Sequence, residues 1–256
     1  MKRRFELVVF GATIFAAGCA EHGGDVLVIE KGETAATDYV SCINKMNARI
    51  VRKNEKAKML EDRLRHTNLI SDDDAVHIYS LEGICAEYLK KAHVLFNTEI
   101  LNVSKRPNGF EITVYNRIDG FMSFEAKRIV DTTANGCFAD QNFFDRKFLC
   151  AEVQGNPKKH VAELVKGRYD DEYACCIEVD GVCSYHHAVE LLFEKWNDIC
   201  KTEKMKMTAV APRFLYSYDS PFRRKIECSY SFVPSVSFND IGYAFEEGYN
   251  EAEIHK

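Results

Sequence analysis

The chain has 256 residues, of which 46% are hydrophobic and 29% charged, with a formal net charge of −5 at pH 7. That length holds one large domain or two modest ones with ample core, and the composition is that of an ordinary soluble globular protein. The acidic balance and the lack of a long basic run exclude a nucleic-acid partner. No apolar run reaches the length of a membrane-spanning helix, so the expectation is a cytoplasmic protein with no membrane partner.

Residues 5–30 carry the first signal. They read as a strand ending at Phe10, a turn at Gly11, a short apolar helix, and a second strand, Asp25-Val-Leu-Val-Ile-Glu30, with an acid at its end. That is the order of a dinucleotide-binding βαβ unit, in which the turn aims helix N–H groups at a diphosphate and the acid meets a ribose. In the G-x-G-x-x-G/A pattern Gly11 and Ala16 fit, whereas Thr13 stands where the middle glycine lets backbone approach the diphosphate. Threonine adds a branched side chain there, together with a hydroxyl that can bond a phosphate. Glu30 follows Gly11 by 19 residues (30 − 11), near the spacing of the ribose-binding acid.

A rival reading treats the same residues as a secretion signal: Lys2-Arg3-Arg4, then Leu7 to Ala17, then Ala16-Ala17-Gly18-Cys19 as a bacterial lipoprotein cleavage site. Glu6 interrupts the passage from basic to apolar, no polar tether follows Cys19, and cleavage would delete the first strand. The nucleotide unit is the preferred reading.

Lys31 to Thr37 follows as a polar loop of the kind that passes near a bound phosphate. Residues 43–68 are charged and helix-friendly, with Leu60, Leu64 and Met59 on one face. Ser71-Asp-Asp-Asp74 marks a turn, read as a solvated loop rather than a cation site. Ser80 is placed as the cap of a helix running to Ala92, with Leu81, Ile84, Cys85, Tyr88 and Leu89 at helical spacing. From His93 the period changes to two. Strands at 94–97 and 99–104, the Pro107-Asn-Gly109 turn, the alternation of Phe110, Ile112 and Val114, the Asp119-Gly120 turn and a return strand at 121–130 describe a β-meander. It ends in Ile129-Val-Asp-Thr-Thr-Ala-Asn-Gly136, a second strand running into a small-residue turn that suits a ligand.

Beyond Phe138 the pattern is weaker. Residues 153–166 mix turn and helix signals, 177–183 suggest a hairpin, and 184–201 a helix with Val189, Leu192, Phe193 and Trp196 on one side. Extended segments at 207–218 and 225–236 precede a last helix after Asn239-Asp-Ile-Gly242. The ten cysteines are scattered, without a C-x-x-C pair or zinc spacing. They are expected to be mostly reduced buried thiols, and no metal site is expected.

The early βαβ unit, Asn47-Ala-Arg49, the meander and the turn at 130–136 together resemble the FAD-dependent oxidoreductases with a glutathione-reductase-type flavin domain. Within that family the chain is most similar to bacterial members of unassigned substrate. The resemblance covers residues 5–140, and more loosely 185–256 through Ala211-Pro-Arg213 and Arg223-Arg-Lys-Ile226. It implies an α/β fold: a Rossmann-like three-layer FAD-binding domain with a β-meander insertion and a small second α+β region. The domain would span 1–140, with 210–256 packing back on it, and a substrate or cap region would span 141–209.

The implied cofactor is FAD. Gly11, Ala12, Thr13 and Ala16 would hold its diphosphate, Glu30 and Lys31 its ribose end, Ile100 its adenine, and Thr133, Asn135 and Gly136 would pack against it. The chain departs from the family's Ala-Thr-Gly-Asp turn with Thr132-Thr-Ala-Asn135, and its closing segment at 239–248 is poor in glycine and alanine.

The implied function is a flavoprotein oxidoreductase passing a hydride from a small molecule to flavin. The alternative is a shortened, degenerate homologue that keeps the fold as a binding or partner subunit. No residue is assigned as catalytic. Cys137 is a candidate redox thiol against a reading as a buried inert one. Arg213, Arg223 and Arg224 are candidates for an anionic substrate against plain surface charge. His186 and His187 read as surface residues, and Tyr216 and Tyr218 as strand packing.

Overall fold

The computed structural model describes residues 3–51, 54–137 and 143–253. The first unit is strand β1 (Arg3–Phe10), helix α1 (Ile14–His22) and strand β2 (Val26–Ile29). Helices α2 (Glu55–His66) and α3 (Leu81–Leu89) lead to β3 (His93–Leu95), then to the meander β4 (Thr98–Arg106), β5 (Gly109–Asn116) and β6 (Gly120–Asp131). The second half contains β7 (Arg146–Gln154), β8 (Leu164–Lys166), β9 (Glu172–Val179), α4 (Tyr185–Cys200), β10 (Lys206–Val210), β11 (Leu215–Ser217), β12 (Arg224–Glu227), β13 (Tyr230–Phe232) and α5 (Ile241–Glu253).

β1 is central in the first sheet, parallel to β2 on one side and to β6 on the other, with Phe10 opposite both Ile29 and Asp131. β3 extends the parallel run beyond β2, β13 extends it beyond β6, and antiparallel β12 closes that edge. Both faces of β1 and β2 are covered, which is why these strands read as nearly continuous apolar runs. Leu7, Val9, Val26 and Val28 join a core with Phe15, Leu81, Tyr88 and Phe245 of the helices. Phe5, Val8, Phe10, Leu27 and Ile29 meet Phe110, Ile112 and Val114 of the meander. Helices, parallel sheet and meander make the three layers that the sequence leads one to expect.

The second sheet is antiparallel, in the order β10-β7-β9-β8, with β11 also on β7; α4 packs on β7 and β9. β10 and β11 therefore belong to this sheet, and the chain returns to the first sheet with β12. The division read at 140/141 lies outside the described residues. Cys150 and Cys176 face each other across β7 and β9 and form a disulfide, while the other eight cysteines are free. The cysteines are thus mostly thiols, with one exception that their spacing does not reveal.

Three local expectations are corrected. The helix read over 43–68 begins only at Glu55, where the Asn54 side chain accepts from the Ala57 N–H. Before it, Ile43 has φ 52° and Arg49 pairs with Ala75 in an isolated bridge, neither compatible with a helix. Ser80 holds the N-cap position of α3 as read, but its side chain does not cap the helix: its hydroxyl bonds the His77 ring, and a short 3-10 turn at Ile78–Ser80 leads into the helix. Residues 177–183 are the end of β9 and a turn into α4, with the Asp180 carboxylate accepting from the Val182 N–H.

β1, which cleavage at Cys19 would remove, lies between β2 and β6, and Cys19 itself is buried within α1. No helix among the described residues is long and apolar enough to cross a membrane.

Candidate functional site

Gly11 ends β1 with φ 92°, a left-handed conformation that glycine adopts without strain. A Cβ there would lie 3.2 Å from the side chains of Thr13, Thr132 and Thr133, so three threonines crowd the bend. Thr13 has become the N-cap of α1: its hydroxyl accepts from the Ala16 N–H at 3.2 Å and lies 2.8 Å from the Thr132 hydroxyl.

The neighbouring amides are also satisfied within the chain. The Ala12 N–H donates to Glu30 Oε2 at 3.0 Å, the Ile14 N–H to Asp38 Oδ2 at 3.3 Å, and the Phe15 N–H to Ser235 Oγ at 3.3 Å. Four amides that a helix N-terminus would offer to an anion thus point at side chains, two of them carboxylates.

Beside this bend, at the carboxyl ends of β1, β2 and β6, lies a cavity of about 620 Å³, within the size range of small-molecule and cofactor sites. Gly11, Thr13, Glu30, Lys31, Ile100, Thr133, Asn135 and Gly136 all border it, although they come from four separate segments. Ala12 and Ala16 are fully buried behind the turn and do not border it. The opposite wall comes from the second sheet: Tyr185 at the start of α4, and Pro212 to Tyr216 between and along β10 and β11. A larger hollow, about 760 Å³, lies at the other end of the parallel strands, around Gly23, Lys127 and Arg223. That end carries none of the turn residues described here, and ligands of open α/β sheets bind outside the carboxyl ends of the strands.

Glu30 is only 2% exposed and heavily bonded. Beyond Ala12, the Gly32 N–H donates to Oε1 at 2.7 Å, the Thr37 hydroxyl to Oε2 at 3.3 Å, and Arg213 reaches Oε1 at 3.5 Å from the far wall. Asp38 also borders the cavity. Its Oδ2 accepts from Ser235 Oγ at 2.6 Å as well as from Ile14, whereas its buried Oδ1 has no partner. Burial pushes its carboxyl up to about 6, and the charge of Glu30 pushes the same way, against the hydrogen bonds from Ser235, from the Ile14 N–H and from its own backbone N–H.

At the second turn, Asp131 accepts from the Thr133 N–H and hydroxyl and from the Cys137 N–H; burial still pushes it up to about 6. Cys137 is exposed, not the buried thiol of one sequence reading, and its thiol is pushed well above its ordinary value by desolvation first and then by Asp131. It is a neutral thiol, poorly suited to act as a redox nucleophile.

The remaining candidates separate cleanly. Of the three arginines, only Arg213 borders the cavity; Arg223 pairs with Glu251 at 2.7 Å, and Arg224 lies 4.4 Å from the Phe143 ring centre. His186 and His187 both reach Glu190 on the exposed side of α4. Tyr218 is buried, and its hydroxyl donates to the Ala134 carbonyl at 2.7 Å, fixing the second turn; Tyr216 is part of the cavity wall. Asp73 and Asp74 pair with Arg49 and Arg65. Thr37, at the end of the polar loop read from the sequence, borders the cavity, whereas sequence reading missed Asp38, Ser235 and the aromatic wall. Asp38 and Ser235 are 197 positions apart, so no local pattern joins them.

No protein-family model and no curated protein matches the chain. Solved structures do. The chain is similar to a geranylgeranyl bacteriochlorophyll reductase-like protein from Thermoplasma acidophilum, with a TM-score of 0.65 and 10% identity over 98% of this chain and 77% of that one. It is similar to p-nitrophenol 4-monooxygenase from Pseudomonas putida, with a TM-score of 0.62 and 11% identity over 98% of this chain and 78% of that one. A third likeness, with a TM-score of 0.58 and 12% identity over 99% of this chain and 62% of that one, is to aklavinone-11 hydroxylase in a ternary complex with FAD and aklavinone. At these identities the likeness is one of fold: a Rossmann-like α/β architecture in which the third of these proteins was solved holding FAD.

Proposed function

We propose that the chain is a flavoprotein oxidoreductase that holds FAD in the crevice between its two sheets and oxidises an unidentified small molecule by hydride transfer to the flavin. The observation that carries this reading is the cavity of about 620 Å³, which joins the first turn, Glu30, Ile100 and the second turn along one wall. FAD, when bound, would supply the hydride-accepting chemistry, so the protein's task is to place it, tune it and exclude water.

The residues present fit that task in a particular way. Glu30 is a buried acceptor at the end of β2, suited to ribose hydroxyls. Arg213 and Lys31 are the cations that border the cavity and would offset a diphosphate. Thr37 and Thr133 also border the cavity, each with its hydroxyl donated to a carboxylate, Glu30 and Asp131 respectively. The amides at the start of α1 are already bonded within the chain, so the cations would carry more of the diphosphate than in a bare glycine turn. Tyr185, Phe214 and Tyr216 form an aromatic wall that would keep water from the reacting centre and present a flat face to a substrate. In this reading residues 146–217 are the cap region and the first sheet is the cofactor domain.

Titrating the protein with FAD and following the quenching of flavin fluorescence tests the reading. Uptake by the wild type is expected, with Glu30→Gln weakening it by about tenfold or more, the scale of a lost charge-assisted hydrogen bond. No uptake by the wild type overturns the reading. Anaerobic bleaching of the bound flavin by members of a substrate panel then tests for turnover; uptake without bleaching by any member would count for a binding subunit instead.

A further inference from the structure

Glu30 ends the strand whose acid meets a ribose in a βαβ unit, yet in this structure its carboxylate is already full. Oε2 accepts from the Ala12 N–H at 3.0 Å and from the Thr37 hydroxyl at 3.3 Å. Oε1 accepts from the Gly32 N–H at 2.7 Å and from Arg213 Nη2 at 3.5 Å. A carboxylate has about four lone-pair sites, so these four donors leave none for a ribose hydroxyl. One donor must leave before Glu30 can accept from a ligand.

Three of the four are held in place. Ala12 is fully buried at the first turn, and Thr37 is 8% exposed. Gly32 is two residues from Glu30, and its carbonyl accepts from the Asn97 N–H at 2.9 Å. Arg213 differs on every count. Its contact is the longest, it comes from the loop between β10 and β11 on the far wall, and its side chain is 46% exposed against 2% for Glu30. Both residues border the cavity, so the guanidinium is the part of the Glu30 shell that faces the crevice. Gly32 keeps the space for it: a Cβ there would lie 3.1 Å from Arg213 Nη2 and 3.0 Å from Glu30 Oε1. A single long contact from a half-exposed cation is weak enough for a ligand to displace. Lys31, the other cation at the cavity, does not take this part, because it pairs with Glu99 at 2.9 Å on the near wall.

We propose that Arg213 is an exchangeable latch across the crevice, holding Glu30 Oε1 in the empty protein and, as FAD binds, yielding it to the adenosine ribose and turning to the diphosphate. This rests on the reading of the crevice as an FAD site and deepens it. The latch is a positioning device with a built-in preference. A ligand with a ribose but no phosphate must open it and gives the guanidinium no anion in exchange. A dinucleotide supplies that anion.

The test compares FAD and adenosine on the wild type and on Arg213→Ala, with FAD followed by flavin fluorescence and adenosine by ligand-observed NMR. Arg213→Ala is expected to bind adenosine about two- to fivefold more tightly than the wild type, the scale of a half-exposed ion pair, and FAD about fivefold or more weakly. A merely structural role for Arg213 would move both affinities the same way, so the opposite signs identify the latch. Arg213→Met keeps the side-chain stem without the charge and is expected to give the same two shifts, which decides the matter where Arg213→Ala does not fold. Adenosine bound no more tightly by these variants than by the wild type overturns the proposal, as does FAD affinity that they leave unchanged, while wild-type uptake keeps the FAD reading standing. If neither wild type nor variants take up FAD, the FAD reading fails and this proposal fails with it.

Discussion

At Thr13 a side chain does what a bound phosphate does in a bare glycine turn: it satisfies an amide at the start of the first helix. The hydroxyl caps Ala16, so the residue that breaks the glycine pattern stabilises α1 instead. Thr13→Ala is expected to lower the free energy of unfolding by about 1 kcal/mol, read from urea denaturation. Asp38 is a second such case, with a sign that can be worked out. Its carboxyl is held at about 6 in the folded protein against about 3.9 in an unfolded chain, so the native state favours the proton. No penalty exists below about pH 4; it grows as pH rises towards 6 and is complete above that. Asp38→Asn should therefore be more stable than the wild type at pH 8, by up to about 3 kcal/mol, and indistinguishable from it near pH 4. Melting curves at the two pH values decide this, and an equal difference at both would refute the assignment. Neither role was legible in the sequence. Gly11 and Glu30 announce themselves by spacing, whereas Asp38 acquires its function from Ser235 and from a helix end, partners that only the folded chain assembles.

Among the elements, the crossing of α1 and α5 sets how closely the helical layer sits on the sheet. A Cβ on Gly18 would come within 2.0 Å of the Phe245 carbonyl oxygen, and one on Gly248 within 1.9 Å of the Phe15 carbonyl oxygen. The two glycines let the backbones approach each other reciprocally, and a backbone obstacle cannot rotate aside. Gly248→Ala is expected to destabilise the protein by about 3 kcal/mol, and a denaturant midpoint that does not move would show that the crossing yields easily. Gly248 stands in a closing segment that, read by family resemblance, only departs from a pattern; the structure gives it a packing role instead. Element type was readable wherever period and punctuation agreed, as in the meander with its turns at Gly109 and Gly120 and in α4 with its Ser184 cap. It failed over 43–50, where residues favourable to a helix are held in a coil by pairing with Ala75 and by the Ile241 N–H on the Arg49 carbonyl.

For the molecule as a whole, the crevice is walled by both sheets, and a buried ion network fastens the loop after β2 to the second of them. Lys45, from the loop after β2, is almost wholly buried and bonds Glu152 of β7 at 2.5 Å and Glu172 of β9 at 2.7 Å, while the Tyr79 hydroxyl donates to the other Glu152 oxygen. Lys45→Met would leave two carboxylates without their cation and is expected to cost about 3–5 kcal/mol of stability by chemical denaturation. A loss below about 1 kcal/mol would show that this network does not tie the sheets. Such a tie between residues more than 100 positions apart leaves no mark in sequence patterning, which is why the first sheet was legible and the cap wall was not. The central claim concerns the crevice that this tie maintains. Its most direct test is the absorption spectrum of the purified protein after incubation with FAD near pH 6 and removal of free cofactor by gel filtration. Flavin absorption eluting with the protein, at one FAD per chain, is the predicted result; a colourless protein peak with all the flavin in the later fractions would contradict the account.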